Sequence, residues 1–245
     1  MIRIENTQVY GFEAAIRGMR NPFNSHSKSD SGYGDEDADL LLVDLGDIGL
    51  CYTIGDNDMK LMKTLCKAGS DHRKFLRMVM VYTDVTAPLY WWKQADTYSV
   101  GKVQNSCSTM HKIADKEFVL DDFSHEHLIN EYSGEDDWES EWLDDLHTTI
   151  RRLNHARKRY LETKVKPMKE ESKRAENMKK YWWQMVQLLP SSYNQRRTVM
   201  LNYEVLRNQY HARKNHKLDE WHDYCHWIET LPYAKELIVG EDENK

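Results

Sequence analysis

The sequence predicts an α+β fold. Segments rich in β-branched residues fall ahead of Pro88, whereas the second half carries long stretches with the three-and-four spacing of amphipathic helices. Neither G-x-G-x-x-G nor G-x-x-x-x-G-K-S/T occurs, so the usual marks of a Rossmann or P-loop phosphate cradle are missing. No G-x-S-x-G nucleophile elbow is present either.

The elements follow in order. Residues 2–10 mix β-branched and polar side chains and read as an edge or half-buried strand, and Phe12 to Met19 as a short helix. Asn21-Pro22 then opens a stretch, 24–39, rich in Ser, Gly and Asp, expected to be a mobile loop. Leu40 to Tyr52 is β-like. Asp56 is placed to cap a helix carrying Leu61, Met62, Leu65 and Cys66 that closes at Gly69. Phe75 to Thr86 is the best strand. From Asp136 to Leu161 an apolar stripe (Leu143, Leu146, Ile150, Leu153, with Arg157 and Tyr160) marks a long helix, interrupted at Pro167 because proline lacks the backbone donor. Helix is expected again over 169–188 and over 195–229, with a turn near Asn215, so that 136–229 reads as one helical region. The acidic end, 240–245, is expected to fray.

Composition narrows the function classes. The 245 residues carry 34 Lys+Arg against 40 Asp+Glu, a formal net charge of −6, which disfavours broad electrostatic capture of nucleic acid; no specific nucleic-acid partner is expected. Mean hydropathy is −0.80 and no apolar run is long enough to cross a bilayer, so no membrane partner is expected. The first residues, Met1 to Glu5, lack the apolar core of a signal peptide, and a cytoplasmic location is expected. The 4 cysteines form no C-x-x-C pair and read as free thiols.

Two constellations bear on metal binding. His222 and His226 stand at i,i+4, the spacing of zinc ligands on a helix, but no glutamate follows the first histidine and no third ligand is evident. The acidic clusters at 35–37, 135–137 and 144–145 lack calcium-loop spacing and read as solvated charge, so no metal is expected. The segment 87–112 is different. It brings Trp91, Trp92 and Tyr98 together with Lys93, Gln94, Lys102, Asn105, Ser106, Ser108 and His111. Aromatic faces beside cations and hydroxyls suit an anionic ligand that contains a ring, although an aromatic packing segment with a polar turn has the same composition.

At this segment the sequence resembles the flavin-dependent thymidylate synthases, the ThyX family, and in particular a divergent branch met in phage and gut-bacterial genomes. Gly69 with His72-Arg73-Lys74-Phe75, followed by Ala87-Pro88-Leu89-Tyr90, parallels the family block GHESPFEH…F…APIF. Lys93-Gln94 falls on its Arg-Gln pair, and Asn105 to Met110 parallels NExSxR. Leu189-Pro190, Asn202, Leu206, Asn208 and Arg213 match LP…N…L…N…R without a gap. The departures are specific. With one inserted residue ahead of Asn105, Thr97-Tyr98-Ser99 stands where the family has Arg-His-Arg, Ser106 replaces the motif glutamate, and Met110 its last arginine. Glu204 stands where an arginine follows the asparagine.

The resemblance implies a single domain over 1–245, a small, largely antiparallel sheet packed by long helices, and a homotetramer. It implies transfer of a one-carbon unit from methylenetetrahydrofolate to C5 of dUMP, with reduction by NADPH through FAD. Arg213 would face the uracil and is the candidate catalytic residue. Gln94, Ser108 and Lys93 would join it at the nucleotide. Asn202, Asn208, Lys102 and His72 would hold the flavin. Two other readings stay open: a different C5 modification such as hydroxymethylation, or a non-catalytic nucleotide-binding or assembly module on the same fold.

Overall fold

Strand β1 (Arg3–Tyr10) turns Val9 inward, exposes most of its other side chains, and forms one edge of a four-stranded sheet. That position suits its polar sequence, because an edge strand has only one neighbour to satisfy. The computed structural model describes residues 2–34, 51–129, 142–165 and 171–240. Within the single domain expected over 1–245, these residues group into two units. Residues 2–85, 94–105 and 197–240 form a sheet unit, and 86–93 with 106–196 a helical unit.

The small antiparallel sheet has the order β1-β4-β6-β5, with β4 over Met80–Pro88, β5 over Val103–Ser106 and β6 over Asn194–Asn202. The chain passes between the units within β4, β5, β6 and α3 (Leu89–Ala95). Helix α1 (Phe12–Arg20) buries Phe12, Ala15, Ile16 and Met19. Strands β2 (Gly32–Gly34) and β3 (Cys51–Thr53) pair as an antiparallel ribbon. Helix α2 (Asp56–Lys67) follows, and α6 (Tyr203–Arg213) and α7 (Asp219–Glu229) complete the unit with a π-helical turn at Lys235–Val239.

Several expectations are corrected. Asp56 does not cap α2. Gly55 is the N-cap, and the carboxylate of Asp30 accepts the N–H groups of Asn57 and Asp58 at 2.9 and 3.1 Å. That carboxylate occupies the space a Cβ at residue 55 would need, which is why glycine stands there. The described part of the expected loop, 24–34, holds a 3-10 turn at His26–Lys28 and strand β2. It is fastened to buried Asp58, which accepts from the Ser29 and Ser31 hydroxyls (both 2.7 Å) and from the Arg20 Nε (2.6 Å). Burial alone would raise the Asp58 carboxyl pKa, but these donors outweigh it and hold it below the ordinary value. Lys74–Met78 is a 3-10 turn, so the strand expected from Phe75 begins at Met80. The expected helix over 195–229 begins instead as β6. There Gln195, Val199 and Leu201 are buried while Arg196 and Thr198 are exposed, the two-residue alternation of a strand. The expectations for 35–50, 136–141, Pro167 and 241–245 lie outside the described residues.

In the helical unit, α4 (Trp142–Val165) packs against α5 (Glu171–Leu188). The expected stripe is the buried one: Leu146, Ile150 and Leu153 join Phe118, Phe123 and Met185 in one core. The Asn154 side chain bridges to both the N–H and the carbonyl of Phe118, at 2.9 and 2.8 Å.

Candidate functional site

Helix α6 organises the candidate residues of the sheet unit. At its start, Asn202 ends β6 and caps the helix, its Oδ1 accepting the Val205 N–H at 3.0 Å. The residue is buried, and its Nδ2 lies where a Cβ on Gly101 would approach to 2.9 Å. Gly101 has φ +77°, a left-handed conformation that glycine adopts without strain. Close by in sequence, Arg73 pairs with Glu204 at 2.8 Å, with the two side chains 17% and 8% exposed.

At the other end of α6, Arg213 donates from Nε to the Tyr98 hydroxyl at 3.0 Å. Its guanidinium carbon lies 5.5 Å from the Tyr98 ring centre and 5.0 Å from that of Trp221, within the range of cation–π attraction. Trp221 is fully buried, and its indole N–H donates to Gln94 Oε1 at 2.9 Å. The terminal nitrogens of Arg213 make no hydrogen bond among the described residues. His216 packs on Trp221, and burial first, then Arg213, lowers its pKa, favouring the neutral ring. This cluster presents a fixed cation with a free fork, suited to a carbonyl edge or an anion.

The other candidates are placed as follows. The Lys102 ammonium is turned inward: it donates to the Ala95 carbonyl at 2.8 Å and stands 3.4 Å from Asp96, its side chain 5% exposed. Desolvation lowers its pKa despite Asp96. Asp96 also accepts from Gln104 and Arg197, both at 2.9 Å. Asn208 and His72 are exposed, on α6 and on the segment after α2. Lys93 and Ser108 belong to the helical unit, where Lys93 is exposed and Ser108 Oγ accepts the His111 N–H at 3.0 Å. So Gln94 and Arg213 meet through Trp221, and Asn202 and Lys102 flank Gly101 in the chain fold.

Sequence reasoning missed Trp221 as a member, because the neighbouring histidines drew attention to spacing on the opposite side of α7. Those histidines face acids: His222 lies 3.8 Å from Asp219, and His226 3.7 Å from Glu229. Among the described residues no group of three or more His, Cys, Asp or Glu side chains is placed to hold a metal ion. No helix among them is long and apolar enough to cross a membrane.

An antiparallel sheet with helices in this order defines a known α+β fold class, that of the flavin-dependent thymidylate synthases. The chain is similar to thymidylate synthase X (ThyX) from Helicobacter pylori, solved with FAD and dUMP at 2.31 Å resolution. The identity is 14%, 97% of each chain is covered, and the TM-score is 0.60. A second structure of the flavin-dependent thymidylate synthase ThyX from Helicobacter pylori, complexed with FAD and dUMP, gives 13% identity, 97% of each chain and a TM-score of 0.57. At such identities the likeness establishes the fold. No family model and no curated relative matches the chain.

Proposed function

We propose that the chain is a flavin-dependent enzyme acting at C5 of a pyrimidine deoxynucleotide, with dUMP as substrate and methylenetetrahydrofolate as the one-carbon donor. The observation that carries this reading is the Arg213 cluster. A guanidinium whose terminal nitrogens are unengaged among the described residues packs against two touching rings, Tyr98 and Trp221, at the motif position that matches the family's uracil-facing arginine. Two parallel N–H donors fit the carbonyl edge of a pyrimidine or its anion, and Gln94 beside them would line the same pocket.

The residues present fit a flavin in part. Asn202 caps α6 with its Oδ1, which leaves Nδ2 as the donor it can offer, and glycine at 101 keeps that amide uncovered by a side chain. The exposed Asn208 and His72 would supply further contacts. Lys102, committed to the Ala95 carbonyl, would shape the loop and not meet the cofactor. Bound FAD would carry reducing electrons from NADPH to the pyrimidine, while this chain's residues orient the ring and exclude water. Lys93 and Ser108 are proposed at the nucleotide phosphate. Assembly as a homotetramer and a cytoplasmic location belong to the same reading.

The visible spectrum of the freshly purified protein tests it. Flavin bands should co-elute with the chain, or appear on adding FAD, and shift on adding dUMP. A folded protein that binds no flavin would move the reading to a non-catalytic nucleotide-binding or assembly module. Thr97-Tyr98-Ser99 in place of Arg-His-Arg is the observation that favours that second reading.

A further inference from the structure

We propose that Tyr98 is the positioning residue of Arg213, so that the segment standing where the family has Arg-His-Arg serves the nucleotide through an aromatic acceptor. The inference rests on the reading that Arg213 meets the nucleotide.

Three observations support it. First, the Tyr98 hydroxyl accepts the Arg213 Nε–H at 3.0 Å, which fixes rotation of the guanidinium about its own stem. Second, Arg213 packs against both the Tyr98 and Trp221 rings, which themselves meet edge to face with centres 6.3 Å apart, and Trp221 is fixed in turn by Gln94. Among the described residues Nη1 and Nη2 make no hydrogen bond and remain to meet a ligand, and their plane is set before it arrives. A fork already oriented loses less freedom on binding than a mobile one. Third, Tyr98 itself is held. The N–H groups of Thr97 and Tyr98 donate to the carbonyls of Gln94 and Ala95 at 3.1 and 3.2 Å, prolonging the last turn of α3. The Lys102 ammonium closes on the same Ala95 carbonyl, and Asp96 anchors to Gln104 and Arg197. Lys102, Asp96 and Gln104 thus act through Tyr98, not on a ligand.

The test is calorimetric titration of dUMP into the full chain as wild type, Tyr98→Phe, Arg213→Lys and the double variant. Tyr98→Phe keeps the ring and removes the acceptor, and should weaken dUMP binding about tenfold, the low end for a hydrogen bond to a charged group. Lysine has neither the Nε–H nor the fork. In the Arg213→Lys background, Tyr98→Phe should therefore change affinity by less than about twofold. Equal losses in both backgrounds, or unchanged affinity in Tyr98→Phe beside a wild type that binds, would overturn the positioning role and leave the proposed function standing. A folded wild type that binds no dUMP would overturn both. Should Tyr98→Phe also lower the thermal midpoint, the comparison between backgrounds still separates a structural role from a positioning one.

Discussion

The two ends of α6 use arginine in opposite ways. Near the first turn, Arg73 is neutralised by Glu204 in a mostly buried pair, and the helix is capped by the uncharged amide of Asn202. At the last turn, Arg213 is held by aromatic rings and a hydroxyl, none of which cancels its charge. One cation is part of the fold; the other is preorganised and left with donors to offer. Exposure alone would not separate them, since both residues are partly buried. The chemistry of the partner does. The buried Arg20–Asp58 pair belongs with Arg73 and gives a reference far from α6 in sequence.

Breaking these pairs sharpens the contrast. The largest effect is expected at Asp58→Ala, which strands a guanidinium whose side chain is 4% exposed and frees the Ser29 and Ser31 hydroxyls. Urea denaturation should show a loss of about 3–5 kcal/mol. The same group has a pH signature. Its folded pKa is depressed, so its stabilisation is complete above the unfolded carboxyl value of about 4 and is lost as pH falls through the folded value. Asp58→Asn should flatten the acid side of the stability profile. An unchanged acid limb would show that other carboxylates dominate it.

Glu204→Ala comes next, because its partner Arg73 keeps some contact with water. About 2–3 kcal/mol should be lost, and the charge-swapped double variant Arg73→Glu with Glu204→Arg should recover part of it. If the double variant is no better than either single one, the pair is not the stabilising unit. The smallest effect is expected at Asn202→Ala, about 1 kcal/mol from loss of the helix cap, read by thermal unfolding. Flavin retention in that variant separates the cap from a cofactor contact: retention equal to wild type leaves Asn202 with the cap alone.

Much of this was legible in the sequence where the information is local. The β-branched and polar mixture of β1, the apolar stripe of α4 and the break near Asn215 all follow from neighbouring residues. Strand β6 was not legible as such. Its alternation is short, and the matched positions from Leu189-Pro190 to Arg213 run straight through it, so one motif suggested one helix. Asn202 is the pivot: it closes the strand and opens α6 with the same residue. The α2 cap was hidden because Asp30 reaches it from a distant part of the chain. Lys102 shows the limit most clearly. The sequence marks a cation beside aromatics, but only the fold shows its ammonium turned onto the Ala95 carbonyl.

The most direct measurement compares calorimetric titration of dUMP into the wild type and into Arg213→Ala. If Arg213 is the preorganised, unneutralised cation described above, the wild type binds and the variant loses about 1.5–3 kcal/mol of binding free energy while its unfolding midpoint stays near that of the wild type. Equal affinity for dUMP in the two proteins would contradict the account.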